Sequence, residues 1–425
     1  MPHKPIKNHS NQVVSLGCRL NIFEAELIKK QALLANVENS IIVNTCTVTQ
    51  EAHRQSMQQI RKLKKENPNA NIIVTGCGAQ VDPKGFANMP EVSKVIGNTD
   101  KFSIKALESP EKIIVNDVNN QDNTYKLPLI QGFANKTKAF IQVQQGCDHR
   151  CTFCIIQQAR GNSRSVSTED IIAQVKQAVA FGHKEIILTG VDISSWNRNA
   201  LSTEPSQIGL LCLDILKAVP SLPRLRLSSL DPAVPDTNIL TLLKNEERFM
   251  PHIHLSLQSM NNSVLKHMGR RHCKDSAIAW IHELTSANPN LAIGADIICG
   301  FPKETENQYQ ETLACIQKLQ IPFLHVFPYS ERANTVATKI KPQVPIHVRK
   351  KRAKTLIDIG YTNKTNFFAK YVGKSMQMLV ESKNIGYTQN YCPVELISNK
   401  VYSKEIINIE IIGYNKQQLL AKAII

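Results

Sequence analysis

The chain has 425 residues, 42% of them hydrophobic, and a formal net charge of +16 at pH 7. That length allows about three domains with ordinary packed cores. No apolar run approaches the roughly 18 residues that a membrane-spanning helix needs, and the opening MPHKPIKNHS is polar and charged, unlike a signal peptide. We therefore expect a cytoplasmic protein whose cysteines are thiols or metal ligands, because disulfides are rare in reducing compartments.

The excess of positive charge predicts an anionic partner. Runs of lysine and arginine lie at 61–65, 269–274 and 349–354. Any one of them could be a solvated helix face, but three runs and the net charge together favour a nucleic acid. An anionic membrane surface is the alternative, and no amphipathic anchor helix supports it.

The first 125 residues alternate short apolar runs with helical patterns, which is typical of βαβ units. Three predicted strands end at Cys18, Cys46 and Cys77, with helices predicted over 23–35 and 50–65. The carboxyl ends of parallel strands meet at one edge of a sheet, where ligands bind. Cysteines that are far apart in sequence should therefore converge in space.

Residues 116–132 are rich in asparagine and predict a linker, after which the βα alternation resumes. Six strands are predicted, at 139–145, 185–188, 224–227, 253–257, 294–298 and 324–327. Helices lie between most of them, for example over 168–181 and 303–319. Six units fall short of a closed eight-stranded barrel, so an open (β/α)6 barrel is expected, with its chemistry at the carboxyl ends of the strands.

The last predicted domain is a small all-β, barrel-like module. The predicted fold class is thus α/β, with a parallel α/β domain over 1–125, a partial (β/α)6 barrel over 133–363 and the β module over 366–425. Five tyrosines lie in or beside the module and could either stack on nucleobases or serve as ordinary strand residues; they are Tyr371, Tyr387, Tyr391, Tyr402 and Tyr414.

Directly after the first barrel strand, Cys147, Cys151 and Cys154 form a C-x3-C-x2-C loop. A structural zinc site needs four ligands, and a disulfide framework needs an even number of cysteines. Three thiolates can hold an iron–sulfur cubane and leave one iron open for a small molecule. A zinc site completed by His149, or chance clustering, are the alternatives.

The sequence also resembles a known family. The three-cysteine loop, with Phe153 before its last cysteine, resembles the signature of radical S-adenosylmethionine (SAM) enzymes. SLGCRLNIFEAE, VNTCTVTQEA and VTGCGAQ resemble the N-terminal motifs of methylthiotransferases, and the C-terminal module resembles their TRAM domain. QQGCDHRCTFCII, ILTGVDISSW, HLSLQS, ADIICGFPKETE and HVFPYSERANT resemble the radical core of the same enzymes. Within the family, GCDHRCTFCII followed by RGNSRSV is most similar to enzymes that methylthiolate N6-threonylcarbamoyladenosine beside the tRNA anticodon.

The resemblance implies two [4Fe–4S] clusters and SAM as cofactors. Cys147, Cys151 and Cys154 would hold the cluster that binds SAM and cleaves it to a 5′-deoxyadenosyl radical. Cys18, Cys46 and Cys77 would hold an auxiliary cluster for the sulfur. The methylthio group would be joined to carbon 2 of the adenine, whose C–H bond offers no acidic proton for general base catalysis. The implied partners are a tRNA anticodon stem-loop and a flavodoxin- or ferredoxin-type electron donor.

Several residues at the carboxyl ends of the barrel strands are candidates for SAM binding, although each could instead be structural. They are Gly190, Asp192, Ser256, Gln258, Gly300, Tyr329 and Arg332. The remaining cysteines are interpreted as small buried hydrophobes; they are Cys212, Cys273, Cys299, Cys315 and Cys392.

The chain departs from the family pattern in four loops near the expected cofactor face. Gln157-Gln158 replaces a proline and an aromatic, Met260-Asn261 a glycine, Lys303 the glycine of GFPGET, and Ala333-Asn334 a Pro-Gly pair. The alternative substrates are isopentenyladenosine in tRNA and an aspartate of a ribosomal protein. An alternative of another class is a non-catalytic iron–sulfur protein that binds RNA.

Overall fold

The computed structural model describes residues 12–35, 37–120, 129–130, 132–133, 136–198, 204–398 and 400–424. The polar N-terminal decapeptide and most of the predicted linker lie outside the described residues. The chain forms two compact units. The first comprises 1–130, 146–148 and 154–162, and the second comprises 131–145, 149–153 and 163–425.

The first unit is built on a parallel five-stranded sheet in the order β1-β2-β3-β4-β5. Its elements are β1 (Gln12–Ser15), α1 (Arg19–Leu34), β2 (Ser40–Thr45), α2 (Gln50–Glu66), β3 (Asn71–Gly76), α3 (Cys77–Val81), α4 (Pro83–Ala87), β4 (Val92–Ile96), α5 (Ile104–Glu108), β5 (Ile113–Ile114) and α6 (Ile156–Arg160). The parallel α/β fold predicted for this region is confirmed. Helix α1 begins four residues before its predicted start, whereas α2 agrees with its prediction to one residue.

Both faces of this sheet are buried, which explains why its central strands are almost continuously apolar. Residues of opposite parity along β2 enter different clusters, because successive side chains of a strand point to opposite faces. Ile41 packs with Ile60 of α2, whereas Ile42 packs with Ile28 of α1. The helices therefore lie on both faces and leave the carboxyl edge of the sheet for the cysteines.

The second unit begins with the barrel region. Its elements are β6 (Lys138–Gln142), β7 (Gln144–Gln145), β8 (Arg164–Ser165), α7 (Thr168–Ala180), β9 (Glu185–Thr189), α8 (Ile208–Ala218), β10 (Arg224–Leu227), β11 (Ser229–Leu230), α9 (Thr237–Asn245), β12 (His252–Gln258), α10 (Asn262–Met268), α11 (Lys274–Ala287), β13 (Ala292–Cys299), α12 (Glu306–Leu319), β14 (Phe323–Pro328) and α13 (Ile346–Ala369). Short 3-10 turns lie at Ile193–Ser195 and Val336–Lys339.

All six predicted barrel strands are present, and their main pairings are parallel. They form two sheets, β10-β9-β6 and β11-β12-β13-β14. Only Ser228 separates β10 from β11, so the sheets follow one another along the chain, as in an open (β/α)6 barrel. The first predicted strand, 139–145, is divided at Val143 into β6 and β7. The helix predicted to start at 303 starts at Glu306, because the Thr305 side chain caps its N-terminus.

The C-terminal module is a closed five-stranded barrel in the order β15-β16-β17-β19-β18. Its strands are β15 (Ser375–Ser382), β16 (Ile385–Thr388), β17 (Pro393–Leu396), β18 (Ile406–Tyr414) and β19 (Leu419–Ala423). Helix α13 leads into the module and packs Phe367 and Phe368 into its core. Among the described residues, no helix combines the length and the apolarity needed to cross a lipid bilayer.

Candidate functional site

Three cysteines lie at the carboxyl edge of the first unit's sheet. Cys18 is the N-cap residue of α1, Cys46 directly follows β2, and Cys77 is the first residue of α3. Because β1, β2 and β3 are neighbours in the sheet, these three positions lie side by side, as predicted. Burial raises the pKa of the Cys46 thiol to about 11. A bound metal would be needed to ionise it, since metals deprotonate their thiol ligands.

Gly17 allows the chain to pass close to the second of these cysteines. Its φ is +95°, a conformation that residues with a side chain rarely adopt. A Cβ atom at this position would lie 2.5 Å from the Cβ and 2.7 Å from the Sγ of Cys46. The glycine is thus required both by the backbone conformation and by the close packing of Cys46.

Arg160, the last residue of α6, reaches the same cysteines from a distant part of the sequence. Its Nε donates a hydrogen bond to the Sγ of Cys77 at 3.1 Å. Its two terminal nitrogens bind the carboxylate of Glu24 at 2.6 and 3.2 Å, and Nη2 also donates to the Asn21 amide oxygen at 2.8 Å. The Sγ of Cys18 lies 3.6 Å from that amide oxygen. One guanidinium therefore connects two of the three cysteines.

A second buried cation completes this network. The Nζ of Lys101 lies 2.6 Å from Glu24, and both side chains are fully buried. Lys101 also donates to the Asn98 amide oxygen, and the Asn98 amide nitrogen lies 3.8 Å from the Sγ of Cys77. Although burial opposes it, the charges of Arg160 and Lys101 lower the pKa of Glu24 to about 2. Glu24 is therefore a carboxylate at neutral pH.

The central cysteine loop is divided between the two units. In the first unit, the Cys147 amide donates to the Gly161 carbonyl at 3.0 Å, and the Ile156 amide lies 3.5 Å from the Sγ of Cys154. Gly146, at φ +73°, would place a Cβ atom 1.9 Å from a backbone oxygen of the neighbouring segment. This glycine is therefore required for the start of the loop.

In the second unit, Cys151 lies beside Arg270, whose side chain is 9% exposed. The Nη1 of Arg270 is 3.7 Å from the Sγ of Cys151, and its Nη2 is 2.9 Å from Asp231. The side chain of His149, which the sequence allowed as a zinc ligand, lies 2.8 Å from Asp192 and 3.0 Å from Arg271.

The candidate SAM-binding residues of the second unit fall into two groups. Gly190 and Asp192 lie in a turn that Gln144 holds, since its side-chain oxygen accepts from the amides of Val191 and Asp192. A Cβ atom on Gly190 would lie 2.8 Å from the Gln144 carbonyl oxygen. Ser256 bonds to Ser229 at 2.8 Å on the partly exposed face of β12. Gly190 and Ser256 are partly exposed, whereas Asp192 is buried. Gln258, also partly exposed, ends β12 with a φ of +64°.

Two residues of the other group pack around Arg349, a buried residue of the basic run at 349–354. A Cβ atom on Gly300 would lie 2.5 Å from the side chain of Arg349. The Arg349 guanidinium lies 5.0 Å from the ring centre of Tyr329 and donates to the Tyr329 carbonyl. Arg332 is buried as well, 8% exposed. These contacts support the structural alternative for Gly300 and Tyr329.

In two of the three basic runs, the arginines form ion pairs with carboxylates of the same chain. In the run at 349–354, Arg349 pairs with Glu331, and Arg352 pairs with Glu304 and Glu306. In the run at 269–274, Arg270 and Arg271 both pair with Asp231. Local composition could not reveal these partners, because they are distant in sequence.

Three of the five tyrosines in or beside the β module also pack against other parts of the chain. Tyr371 is buried. The rings of Tyr387 and Tyr391 stack on each other, with centroids 4.7 Å apart, and the Nζ of Lys138 lies 3.9 Å from the first ring. These three tyrosines contribute to packing, whereas Tyr414 is 41% exposed and remains available to a ligand.

The structure also corrects the interpretation of the remaining cysteines. Cys212, Cys299 and Cys392 are buried as predicted, but Cys315 is only partly buried and Cys273 is exposed. The Cys273 sulfur accepts a hydrogen bond from the Ser276 amide and so caps α11.

Sequence reasoning missed a polar cluster on the partly exposed face of the barrel sheet. His254, Asp296 and His325 lie on the neighbouring strands β12, β13 and β14. One Asp296 oxygen lies 3.0 Å from His254 Nε2 and 3.3 Å from His325 Nδ1. Gly294 leaves room for the first imidazole, since a Cβ atom there would lie 2.3 Å from its Nδ1. Such a set could hold a transition metal or bind a polar substrate; the alternation of polar residues in the predicted strands was its only sequence signal.

Two family models match the sequence. The Radical SAM superfamily model matches residues 141–316, and the model of the uncharacterized protein family UPF0004 matches residues 11–97. Together they cover both sets of three cysteines.

Named relatives extend over almost the whole chain. A threonylcarbamoyladenosine tRNA methylthiotransferase MtaB from Rickettsia prowazekii is 44% identical over 414 residues, covering 96% of this chain and 97% of that protein. Its namesake from Aquifex aeolicus is 34% identical over 397 residues, covering 90% and 95%. A tRNA-2-methylthio-N(6)-dimethylallyladenosine synthase from Staphylococcus haemolyticus is 30% identical over 431 residues, covering 95% and 83%.

Among solved structures, the chain is similar in fold to the radical S-adenosylmethionine methyltransferase TsrM from Kitasatospora setae, solved with tryptophan and a SAM analogue. The TM-score is 0.51 at 13% identity, covering 72% of this chain and 66% of that one. This likeness agrees with the open barrel described above.

Proposed function

This chain belongs to the methylthiotransferase family of radical SAM enzymes, and we propose that it methylthiolates carbon 2 of N6-threonylcarbamoyladenosine beside the tRNA anticodon. The observation that carries the proposal is the 44% identity to a threonylcarbamoyladenosine tRNA methylthiotransferase over nearly the full length of both chains. The relative that acts on dimethylallyladenosine is only 30% identical, which favours the threonylcarbamoyl nucleoside.

Two sets of three cysteines would hold the cofactors. Cys147, Cys151 and Cys154 would bind the [4Fe–4S] cluster that engages SAM, and Cys18, Cys46 and Cys77 would bind the auxiliary [4Fe–4S] cluster. Three thiolates per cluster leave one iron of each open to a reactant. The donors around the sulfurs fit negatively charged clusters, since a guanidinium lies beside Cys77 and another beside Cys151. When bound, these groups supply the one-electron chemistry and the sulfur that functionalising an unactivated C–H bond requires.

The protein's own residues bind and orient the reactants. Gln144 fixes the turn that carries Gly190 and Asp192, so we assign this turn to the methionine end of SAM. Ser256 and Gln258 extend the same barrel face. Gly300 and Tyr329 pack against Arg349, so we assign them a supporting role in this region, and Arg332 is buried.

The proposed macromolecular partner is the tRNA anticodon stem-loop, bound in the cytoplasm, with a flavodoxin- or ferredoxin-type protein as the electron donor. The net charge of +16 supports a polyanionic partner. Because the arginines of two basic runs already pair with carboxylates of the chain, the exposed lysines are the better candidates for phosphate contacts. Lys350, Lys351 and Lys354 lie exposed on α13, and we assign an RNA-binding, TRAM-like role to the adjoining β barrel.

Mass spectrometry of tRNA nucleosides from a deletion strain tests the substrate. The strain should lack the 2-methylthio form of N6-threonylcarbamoyladenosine, and the wild-type gene should restore it. Genes carrying Cys147→Ala or Cys18→Ala should fail to restore it, whereas Cys273→Ser, at an exposed cysteine outside both sets, should succeed. Loss of the methylthio group from isopentenyladenosine instead would refute the proposed substrate. An unchanged nucleoside profile would favour the ribosomal aspartate or a non-catalytic role.

Iron analysis tests the cofactors. Anaerobically reconstituted protein should bind about eight irons per chain, and replacing either set of three cysteines with alanine should remove about half. Protein that binds zinc and stays colourless would contradict the cluster assignment.

A further inference from the structure

Arg160 places a positive charge next to the N-terminal cysteines, inside the protein. Its side chain is 1% exposed, and its Nε donates to the Sγ of Cys77 at 3.1 Å. The fork of its terminal nitrogens is filled by Glu24, which holds the guanidinium in one orientation. The hydrogen bond to sulfur is therefore built into the fold.

The charges of this buried network do not cancel among themselves. Glu24 carries one negative charge, whereas Arg160 and Lys101 are two cations bound to it. Burying an unbalanced charge is costly unless a charge of opposite sign lies close by. The sulfur of Cys77 accepts directly from Arg160, and Asn21 connects the same guanidinium to Cys18. A negative charge on the three-cysteine centre would thus lie directly beside these cations.

We infer that Arg160 is a positioning residue that stabilises the negative charge of the auxiliary centre through Cys77, with Glu24 and Lys101 holding it in place. Hydrogen bonds to cluster sulfurs and nearby charges set the reduction potential of iron–sulfur centres. A fixed cation next to a ligand sulfur favours the reduced, more negative state. The inference rests on the proposed function, because it presupposes a cluster on Cys18, Cys46 and Cys77.

Arg160 also fixes the short helix α6, of which it is the last residue. Helix α6 is five residues long and connects Arg160 to the central cysteine loop. The amide of its first residue, Ile156, lies 3.5 Å from the Sγ of Cys154, while its last residue donates to Cys77. The Ala159 carbonyl also accepts from Asn98, whose amide faces Cys77. The short helix thus contacts a sulfur from each set of cysteines, and Arg160 anchors it.

The test uses the full chain in a Cys147→Ala/Cys151→Ala/Cys154→Ala background, which leaves only the auxiliary centre. In this background we would compare Arg160→Gln, Arg160→Lys and the double variant Glu24→Gln/Arg160→Gln. The matched control is Arg54→Gln, which removes an exposed arginine from the ion pair with Glu51 on α2. The readouts are bound iron after anaerobic reconstitution and the midpoint potential from a redox titration followed by electron paramagnetic resonance.

Arg160→Gln should shift the potential to more negative values and lower the bound iron by about twofold or more, because charge and hydrogen bond are both lost. Arg160→Lys keeps the charge but not the fork, so its potential should lie between those of Arg160→Gln and the parent. The double variant removes Arg160 and also the carboxylate that Arg160 shares with Lys101, so the buried Lys101 loses its counter-ion. It should therefore keep the shifted potential and be no more stable than Arg160→Gln.

Arg54→Gln should leave both readouts unchanged. A potential and an iron content for Arg160→Gln equal to those of the parent would overturn the inference, and so would a parental potential in the double variant. If the proposed function itself were wrong, the parent background would bind no iron. That result is distinct from a failure of the Arg160 inference, in which the parent binds iron and Arg160→Gln behaves like it.

Discussion

Arg226 offers a direct test of how the β module is attached to the barrel region. Its side chain is fully buried and binds Glu185 at 2.9 and 3.1 Å. Its Nη2 also donates to the Gln389 carbonyl of the β module at 3.0 Å, and its guanidinium lies 4.6 Å from the ring centre of Tyr391. Replacement by methionine keeps much of the side-chain volume and removes the charge and the donors.

The expected loss of stability follows from the pKa of Glu185. Burial would raise it, but the charges of Arg226 and its neighbours Lys138 and Arg224 lower it to about 2 from an ordinary value of 4.5. A folded-state pKa below the unfolded one means that Glu185 contributes stability above about pH 4.5, which is lost as the pH falls towards 2. The difference corresponds to about 3 kcal/mol. Removing one partner of a buried ion pair costs about 3–5 kcal/mol.

Calorimetry of the full chain at several pH values measures the effect. At pH 7, Arg226→Met should lower the melting temperature of the second unit by at least about 6 °C. The loss of stability should become smaller towards pH 4. In the variant, Glu185 lacks its main cation and burial raises its pKa, so it can be protonated there and no longer buries a charge. Glu185→Gln/Arg226→Met should recover most of the loss. A change in melting temperature below about 1 °C at pH 7 would refute this reasoning. A loss of stability that does not depend on pH would refute it as well.

Three further predictions concern single positions. Gly17→Ala and Gly146→Ala should each reduce bound iron by about half, because the added methyl collides beside a cysteine set, whereas Gly182→Ala should not. Gly182 has a positive φ but open space around it, so iron analysis of the three variants separates collision from backbone strain. Lys303 has a φ of +67°, and Lys303→Gly should raise stability by up to about 1 kcal/mol in thermal melts; a decrease would contradict this. Burial lowers the pKa of His272 from 6.5 to about 4, so stability should fall as the pH drops through this interval. His272→Gln should make the melting temperature less dependent on pH between 6.5 and 4, and an unchanged dependence would exclude His272 as a cause.

The departures from the family pattern show how sequence and structure complement each other. Lys303 and Asn334 both stand where the resemblance noted in the sequence implies glycine, and both have a φ of +67°. The backbone thus retains a conformation suited to glycine although the residue has changed. The sequence identified the substituted positions. Only the backbone geometry shows that each substituted residue adopts a conformation unfavourable for residues with a side chain.

The elements that follow from local pattern were predictable. Apolar runs and helical periodicity located the six barrel strands and both long helices of the first unit, because period and turn chemistry are properties of a few consecutive residues. The convergence of Cys18, Cys46 and Cys77 followed as well. It needs only the rule that the carboxyl ends of parallel strands share an edge.

Which side chains meet across long stretches of chain was decided by the tertiary structure alone. Arg160 and Glu24 are 136 residues apart in sequence, and nothing in the surroundings of either residue indicates the other. Tyr387 likewise stacks on Tyr391 against Lys138, which decides for internal packing where the sequence left packing and nucleobase stacking both open. Such pairs form because packing brings opposite charges and apolar surfaces together while excluding water. The sequence by itself thus determined the strands, the helices and where the thiols gather, and the packed chain decided which charges surround them.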